Sequence, residues 1–249
     1  AVEHEVLFLR DQAVAADTFA RFAARFGDVL GHAAYPTVPG AKDVQILEST
    51  PDAPSKIEVW HSDMTFSEHP PSFTLLHGQI IPPYGGDTLW ASATAAYDAL
   101  SEPLKSFLDD LVAVHDFRHG FKESLAEPGG PERLAESIAA NPPVEHPLIR
   151  THPETGKKSI YVNALFTTHI KDLTRHESEE ILNFLYRHVV TEEFTVRLNW
   201  RPDTIAIWDN RSTQHKPVND FFPQHRKMHR VTIQGLSLIH ISEPTRRDQ

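Results

Sequence analysis

The feature that most limits the fold is the brevity of the apolar runs. VLFL at 6–9 and the segments at 73–81, 88–90, 112–117, 194–198, 204–208 and 229–235 are strand-length, with Pro, Gly and Asp between them. A short strand is expected at 44–47, and residues 148–150 and 159–162 flank the turn HPETGK as a hairpin. Helical spacing is rarer. Phe19, Phe22, Ala23 and Phe26 recur at i, i+3, i+4 and i+7, with Gly27 as a stop. Two helices follow residue 90, the second with Ser101 as N-cap and Pro103 in its first turn. Thr174 and Glu177 form a capping box ahead of Ile181, Leu182, Leu185 and Val189. Many short strands with few helices predict a mainly β protein with flanking helices, a sandwich or jelly roll.

Neither a repeat nor a linker divides the 249 residues, so residues 1–235 read as one domain. Residues 118–143 read as an exposed insertion or lid with a short helix at 131–140. Because a core strand opens the chain abruptly, an amino-terminal segment is expected upstream. The tail at 236–249, LSLIHISEPTRRDQ, does not continue the pattern and reads as an appended end.

Composition removes several function classes. Without cysteine there is no disulfide, thiolate zinc site, Fe–S cluster or cysteine nucleophile. A net charge of −10 disfavours nucleic acid as a partner. No apolar run reaches a membrane span, and the first residues resemble neither a signal nor a transit peptide, so a cytoplasmic location is expected. Sixteen histidines direct the search to a metal.

Residues two apart in a strand share a face, so His61 and Asp63 can grip one ion. The pattern alone is weak, because about two His-x-acid matches are expected by chance in such a composition. The other match, His152 and Glu154, lies inside HPETGK and reads as a solvated turn. Trp60, Met64 and Phe66 give His61 and Asp63 a dry setting, and His215 in DNRSTQHKP supplies a third ligand. Two histidines and a carboxylate suit a non-haem Fe(II) oxygenase, with positions open for substrate and O2. A zinc hydrolase can use the same ligands, although no HExxH helix supplies its base. Arg226 and Arg230, four apart, share a face if extended, and a buried arginine suits a carboxylate such as that of 2-oxoglutarate. Two exposed arginines paired with acids remain an alternative. The histidines at 69, 77, 115, 119, 169, 176, 188, 225 and 229 read as surface or hydrogen-bonded core residues, with His229 facing away from the site.

Taken together, WHSDMTF, GGDTLW, HDFR, RTHP, IYVNALFTT, IAIWDNRSTQH and MHRVTI resemble the taurine dioxygenase/TfdA family of Fe(II)- and 2-oxoglutarate-dependent dioxygenases. The likeness runs from about residue 6 to 235. It implies a double-stranded β-helix, a cupin-like jelly roll. It implies Fe(II) on His61, Asp63 and His215, and 2-oxoglutarate on Thr88 and Arg226. By the same resemblance His32 and Arg230 hold the anionic end of the substrate, and Tyr35, Phe121 and Phe166 line its pocket. The implied reaction consumes O2 and hydroxylates the carbon next to sulfur in taurine or a related sulfonate. Sulfite, an aldehyde, succinate and CO2 leave.

Two positions depart from the pattern where the branch meets the substrate amine: residues 40–60 hold no asparagine, and Gly120 replaces a serine. The same chemistry on an alkyl sulfate or another small organic anion is therefore an alternative, as is a non-catalytic jelly-roll binding protein. A homodimer or homotetramer is the implied assembly.

Overall fold

A computed structural model describes residues 1–31, 35–55 and 57–235. His32 and the tail at 236–249 lie outside the described residues. Along the chain come β1 (Val6–Leu9), α1 (Ala16–Ala23), β2 (Val29–Leu30), β3 (Thr37–Val38), β4 (Ala41–Ser49), β5 (Phe73–Ile80) and β6 (Thr88–Ser92). The middle holds α2 (Ala93–Asp98), α3 (Glu102–Leu108), β7 (Val112–His115), α4 (Phe117–Gly120), α5 (Lys122–Ala126) and α6 (Gly130–Ala140). Then follow β8 (Val144–Pro147), β9 (Ile149–Thr151), β10 (Lys158–Ile160), β11 (Thr167–Ile170), α7 (Arg175–Val189), β12 (Thr195–Leu198), β13 (Ile205–Asp209), β14 (Thr213–Pro217) and β15 (Arg226–Ile233). No helix of the described residues is long and apolar enough to cross a membrane.

The large sheet runs β1-β13-β5-β15-β4-β3, with β2 also on β15, and faces a smaller sheet, β12-β6-β14. Every strand pair is antiparallel. The far-apart pairings and two facing sheets are those of the expected jelly roll. β1 does not stand unpaired: its partner, β13, comes from the other end of the chain.

Both faces of the large sheet are covered, which explains why its strands read as continuous apolar runs rather than alternating ones. Phe73, Leu75, Ile205, Ile207, Val231 and Ile233 pack outward with Phe19 and Ala23 of α1. Leu76, Ala206, Trp208 and Met228 point inward against Trp90 and Leu198. The period-two rule then assigns the polar inward positions: Arg226 and Arg230 share the face of Met228, and His229 lies on the other. A second core joins α2 and α7 to the small sheets through Ala96, Leu182, Leu185 and Ile170.

Three local expectations change. The strand expected at 112–117 ends at His115, because the Asp116 carboxylate accepts the Arg118 N–H and opens α4. Residues 118–143 form three short helices, and the first two contribute to a cavity wall rather than standing apart. Ser101 occupies the N-cap of α3, but its side chain makes no capping bond. The capping box at Thr174 and Glu177 forms as expected.

Candidate metal centre

His215 sits in β14, opposite Trp90 of β6. His61 lies in the loop before β5 and forms an isolated bridge to it, His61 N–H to His215 O at 3.0 Å and His215 N–H to His61 O at 2.7 Å. This bridge brings two rings 154 positions apart to a centroid separation of 4.2 Å. The strand expected at 61–63 does not form: His61 makes only that bridge and Asp63 lies in the turn that follows, which still brings its carboxylate to the histidines. The Asp63 Oδ1 stands 3.7 Å from Nε2 of each histidine. One candidate ligand atom from each of the three residues lies within 4.8 Å of the others.

The donors suit a divalent ion. The His61 Nδ1–H donates to Val59 O at 2.9 Å, leaving Nε2 as the lone-pair nitrogen. Burial pushes the pKa of His215 down to about 3, with His61 adding to the effect, and burial lowers that of His61 too, so both rings are neutral at pH 7. Burial alone would raise the Asp63 carboxyl. His215, Arg230, His61 and the Thr74 hydroxyl outweigh it and hold the pKa below the ordinary value. Thr74 Oγ1 donates to Asp63 Oδ2 at 2.8 Å, which leaves Oδ1 facing the histidines. Asn210, in the turn between β13 and β14, takes the Asp63 N–H on Oδ1 at 2.7 Å and returns Nδ2–H to Asp63 O at 3.0 Å.

The centre opens into a cavity of about 710 Å³ lined by Thr88, Arg226, Arg230, Tyr35, Phe121 and Phe166 among others. Every site residue expected from the sequence, His32 apart, therefore reaches one chamber. Arg226 has a buried Nε without a hydrogen-bond partner and lies 5.9 Å from the Trp200 and Phe221 rings. Burial pushes its pKa down to about 10, partly offset by Asp87. A guanidinium left this way calls for an anion. Thr88 Oγ1 accepts the Trp200 indole N–H at 2.9 Å, so its own proton is free to donate. These two groups fit the distal carboxylate of 2-oxoglutarate. Arg230, held at Nε by Gln45 Oε1 at 2.8 Å and seated 4.5 Å from the Tyr35 ring, is a second cation beside the metal ligands.

Part of the cavity wall is aromatic. Phe66 meets the Phe166 ring edge-on at 4.9 Å, and Phe117 stacks on Phe121 at 4.3 Å. Phe166 crowds so close to Gly120 that a Cβ there would lie 2.3 Å from its Cε1.

Sequence reasoning missed Gln45, Thr74 and Asn210. Their types are common, and the only signal for Asn210 was its place within DNRSTQH. The reading of a solvated turn holds for Glu154, which is exposed, but needs correction at His152. His152 is buried, and its Nε2–H donates to Asp209 Oδ2 at 3.0 Å. Arg211 binds the same carboxylate and reaches Glu154 Oε1 at 2.6 Å. The turn docks onto a buried ion pair supplied 57 residues later, which turn composition cannot reveal.

Comparison with known proteins agrees with this geometry. The chain is 40% identical over 239 residues to an alkylsulfatase of Acinetobacter baylyi, covering 94% of this chain and 74% of that protein. It is 34% identical to an alpha-ketoglutarate-dependent sulfate ester dioxygenase of Pseudomonas putida, covering 94% and 78%. The crystal structure of a taurine dioxygenase from Burkholderia xenovorans superposes with a TM-score of 0.78 at 36% identity, covering 93% of this chain and 76% of that one. The profile of the family described as taurine catabolism dioxygenase TauD, TfdA family matches residues 1–232. A His-Asp-His centre beside an arginine whose buried Nε has no partner is what such an enzyme needs, and the chain belongs to the TauD/TfdA family of alpha-ketoglutarate-dependent dioxygenases.

Proposed function

We propose that this chain oxidises an alkyl sulfate carrying an apolar chain, at the carbon bonded to the ester oxygen. As a family member it uses Fe(II), 2-oxoglutarate and O2. The observation that carries the substrate reading is the composition of the chamber around Arg230. Arg230 and the apolar side chains of Met64, Phe66, Phe121, Leu165 and Phe166 line the same chamber, with Arg226 taken by the cofactor. The two relatives named for sulfates support the same choice.

His61, Asp63 and His215 hold the iron, which with 2-oxoglutarate and O2 supplies an oxidant able to hydroxylate a C–H bond. Arg226 and Thr88 bind the distal carboxylate of 2-oxoglutarate, and the guanidinium gains the anion its burial demands. Arg230 binds the sulfate, with Gln45 and Tyr35 setting its orientation, so the adjacent CH2 is presented to the metal. The phenylalanines receive the chain and exclude water. The overall conversion is R–CH2–OSO3⁻ with 2-oxoglutarate and O2 to R–CHO, hydrogen sulfate, succinate and CO2. The hydroxylated carbon carries both OH and OSO3, and breaking its bond to the ester oxygen releases sulfate as the hydroxyl proton leaves.

The test is a panel of hexyl sulfate, hexanesulfonate and taurine, following O2 uptake, sulfate and sulfite. Hexyl sulfate turnover with sulfate release is the expected result. Preferred turnover of taurine with sulfite release would assign the chain to the sulfonate reading instead, the activity that names the Burkholderia structure.

A further inference from the structure

The loop carrying His61 and Asp63 contains a backbone outlier. Met64, which lines the chamber, has φ of 50°, a conformation that side-chain-bearing residues adopt at a cost. Two clamps flank it. Asn210 holds both backbone groups of Asp63. Beyond Met64, the fully buried Thr65 is held at its carbonyl by His146 Nε2 at 2.9 Å and at its hydroxyl by two side chains. Asn163 Nδ2 donates to Thr65 Oγ1 at 3.0 Å, and His115 Nδ1 lies 2.9 Å from the same oxygen.

The direction of the Asn163 bonds follows from their partners. Asn163 Oδ1 accepts the backbone N–H groups of Leu165, at 3.2 Å, and Phe166, at 3.0 Å. Its other end must therefore be the amide nitrogen, which can only donate. The Thr65 hydroxyl also meets His115 Nδ1, a ring nitrogen that lies 3.4 Å from Thr167 Oγ1 as well. Burial holds the His115 pKa well below the ordinary value, so the ring is neutral. Asn163 thus ties Thr65, two residues past a candidate metal ligand, to the backbone of Phe166. That ring is fixed on its other side by Gly120 and Phe66.

We propose that Thr65 and Asn163 are positioning residues that couple the substrate-facing Phe166 to the metal-binding loop. Displacement of the Phe166 wall is transmitted through one buried amide to the loop that sets Asp63. This rests on the dioxygenase reading only in its kinetic consequence; the coupling itself is a property of the folded chain.

Two measurements test it on the whole chain. In protein without added metal, Thr65→Val removes the hydroxyl but keeps the shape. Amide exchange at residues 164–167 should then quicken about tenfold, the effect of one lost buried hydrogen bond, while Thr65→Ser stays near wild type. Asn163→Ala should reciprocally quicken exchange at 62–66, and this reading decides the matter if Thr65→Val does not fold. With Fe(II), 2-oxoglutarate and hexyl sulfate, Thr65→Val should raise the KM for hexyl sulfate about tenfold, leave that for 2-oxoglutarate unchanged, and be rescued by Thr65→Ser. Changes confined to the mutated loop, or a Thr65→Ser variant as impaired as Thr65→Val, would overturn the coupling. If the wild-type protein ignores hexyl sulfate, the exchange results still decide the coupling, and only the substrate reading fails.

Discussion

Arg226→Met should act with opposite signs on stability and on cofactor binding. The Arg226 Nε is buried without a hydrogen-bond partner, and no salt bridge joins the guanidinium to a carboxylate among the described residues. Its pKa falls from 12.5 to about 10. At ~1.4 kcal/mol per unit, keeping it charged in the empty protein costs on the order of 3 kcal/mol. Methionine fills much of the same volume beside Trp200 and Phe221 without that cost. Removing a buried charge in this way is neutral to stabilising by about 1–4 kcal/mol. At roughly 2–4 °C per kcal/mol for a domain of this size, the apo protein should keep or raise its Tm by several degrees. With 2-oxoglutarate bound, the same guanidinium has a carboxylate partner. Truncating one side of such a pair costs about 2–5 kcal/mol, a loss of roughly 30-fold or more in affinity. Calorimetry of the apo protein gives the first quantity. Anaerobic titration of Fe(II)-loaded protein with 2-oxoglutarate, read at the weak visible band of the chelate, gives the second. A variant that loses several degrees in Tm yet binds 2-oxoglutarate like wild type would refute the reasoning, because the arginine would then be a structural cation.

Thr74→Val removes the bond that orients Asp63 and should weaken Fe(II) binding about 10–100-fold in a metal titration, with the fold intact by circular dichroism. Gly120→Ser places an atom 2.3 Å from the Phe166 ring, so it should cost about 1–3 kcal/mol in urea unfolding and raise the KM for a long alkyl sulfate more than for a short one. His146 is buried, and burial pushes its pKa down to about 4 from 6.5. Its contribution is therefore complete above pH 6.5 and lost progressively as the pH falls toward 4. Urea unfolding at pH 5 against pH 7 should show a loss of roughly 2 kcal/mol from this residue, reduced in His146→Gln.

Much of the site was legible in the chain before any tertiary contact was known. Arg226 and Arg230 are spaced to share one strand face, because a strand's side chains alternate whatever it packs against, whereas His61 and Asp63, expected on a strand, meet through an isolated bridge and a turn. Strand-length apolar runs and the absence of cysteine confined the fold and the metal chemistry, and the combined motifs singled out His215 across 154 positions. The strand that carries His215 was less visible: TQHKP has no apolar alternation, and it is a strand because β6 pairs with it.

What only the tertiary structure decided is the state of each polar group once water is gone. Gln45, Thr74, Asn163 and Asn210 are common residue types. Each acquires its function from a partner in a different strand or loop: Asn210 holds Asp63 from 147 positions away, and Gln45 holds Arg230 from 185. His152 reads as a solvated turn residue and is instead a buried donor to Asp209, while Arg226, for which an exposed pairing with an acid was the alternative, has a buried Nε with no partner among the described residues. Periodicity and residue chemistry are local and survive in the sequence. Desolvation and hydrogen-bond partnership depend on which distant segments meet, and at this site they separate an ordinary polar residue from a ligand, an anchor or a brace.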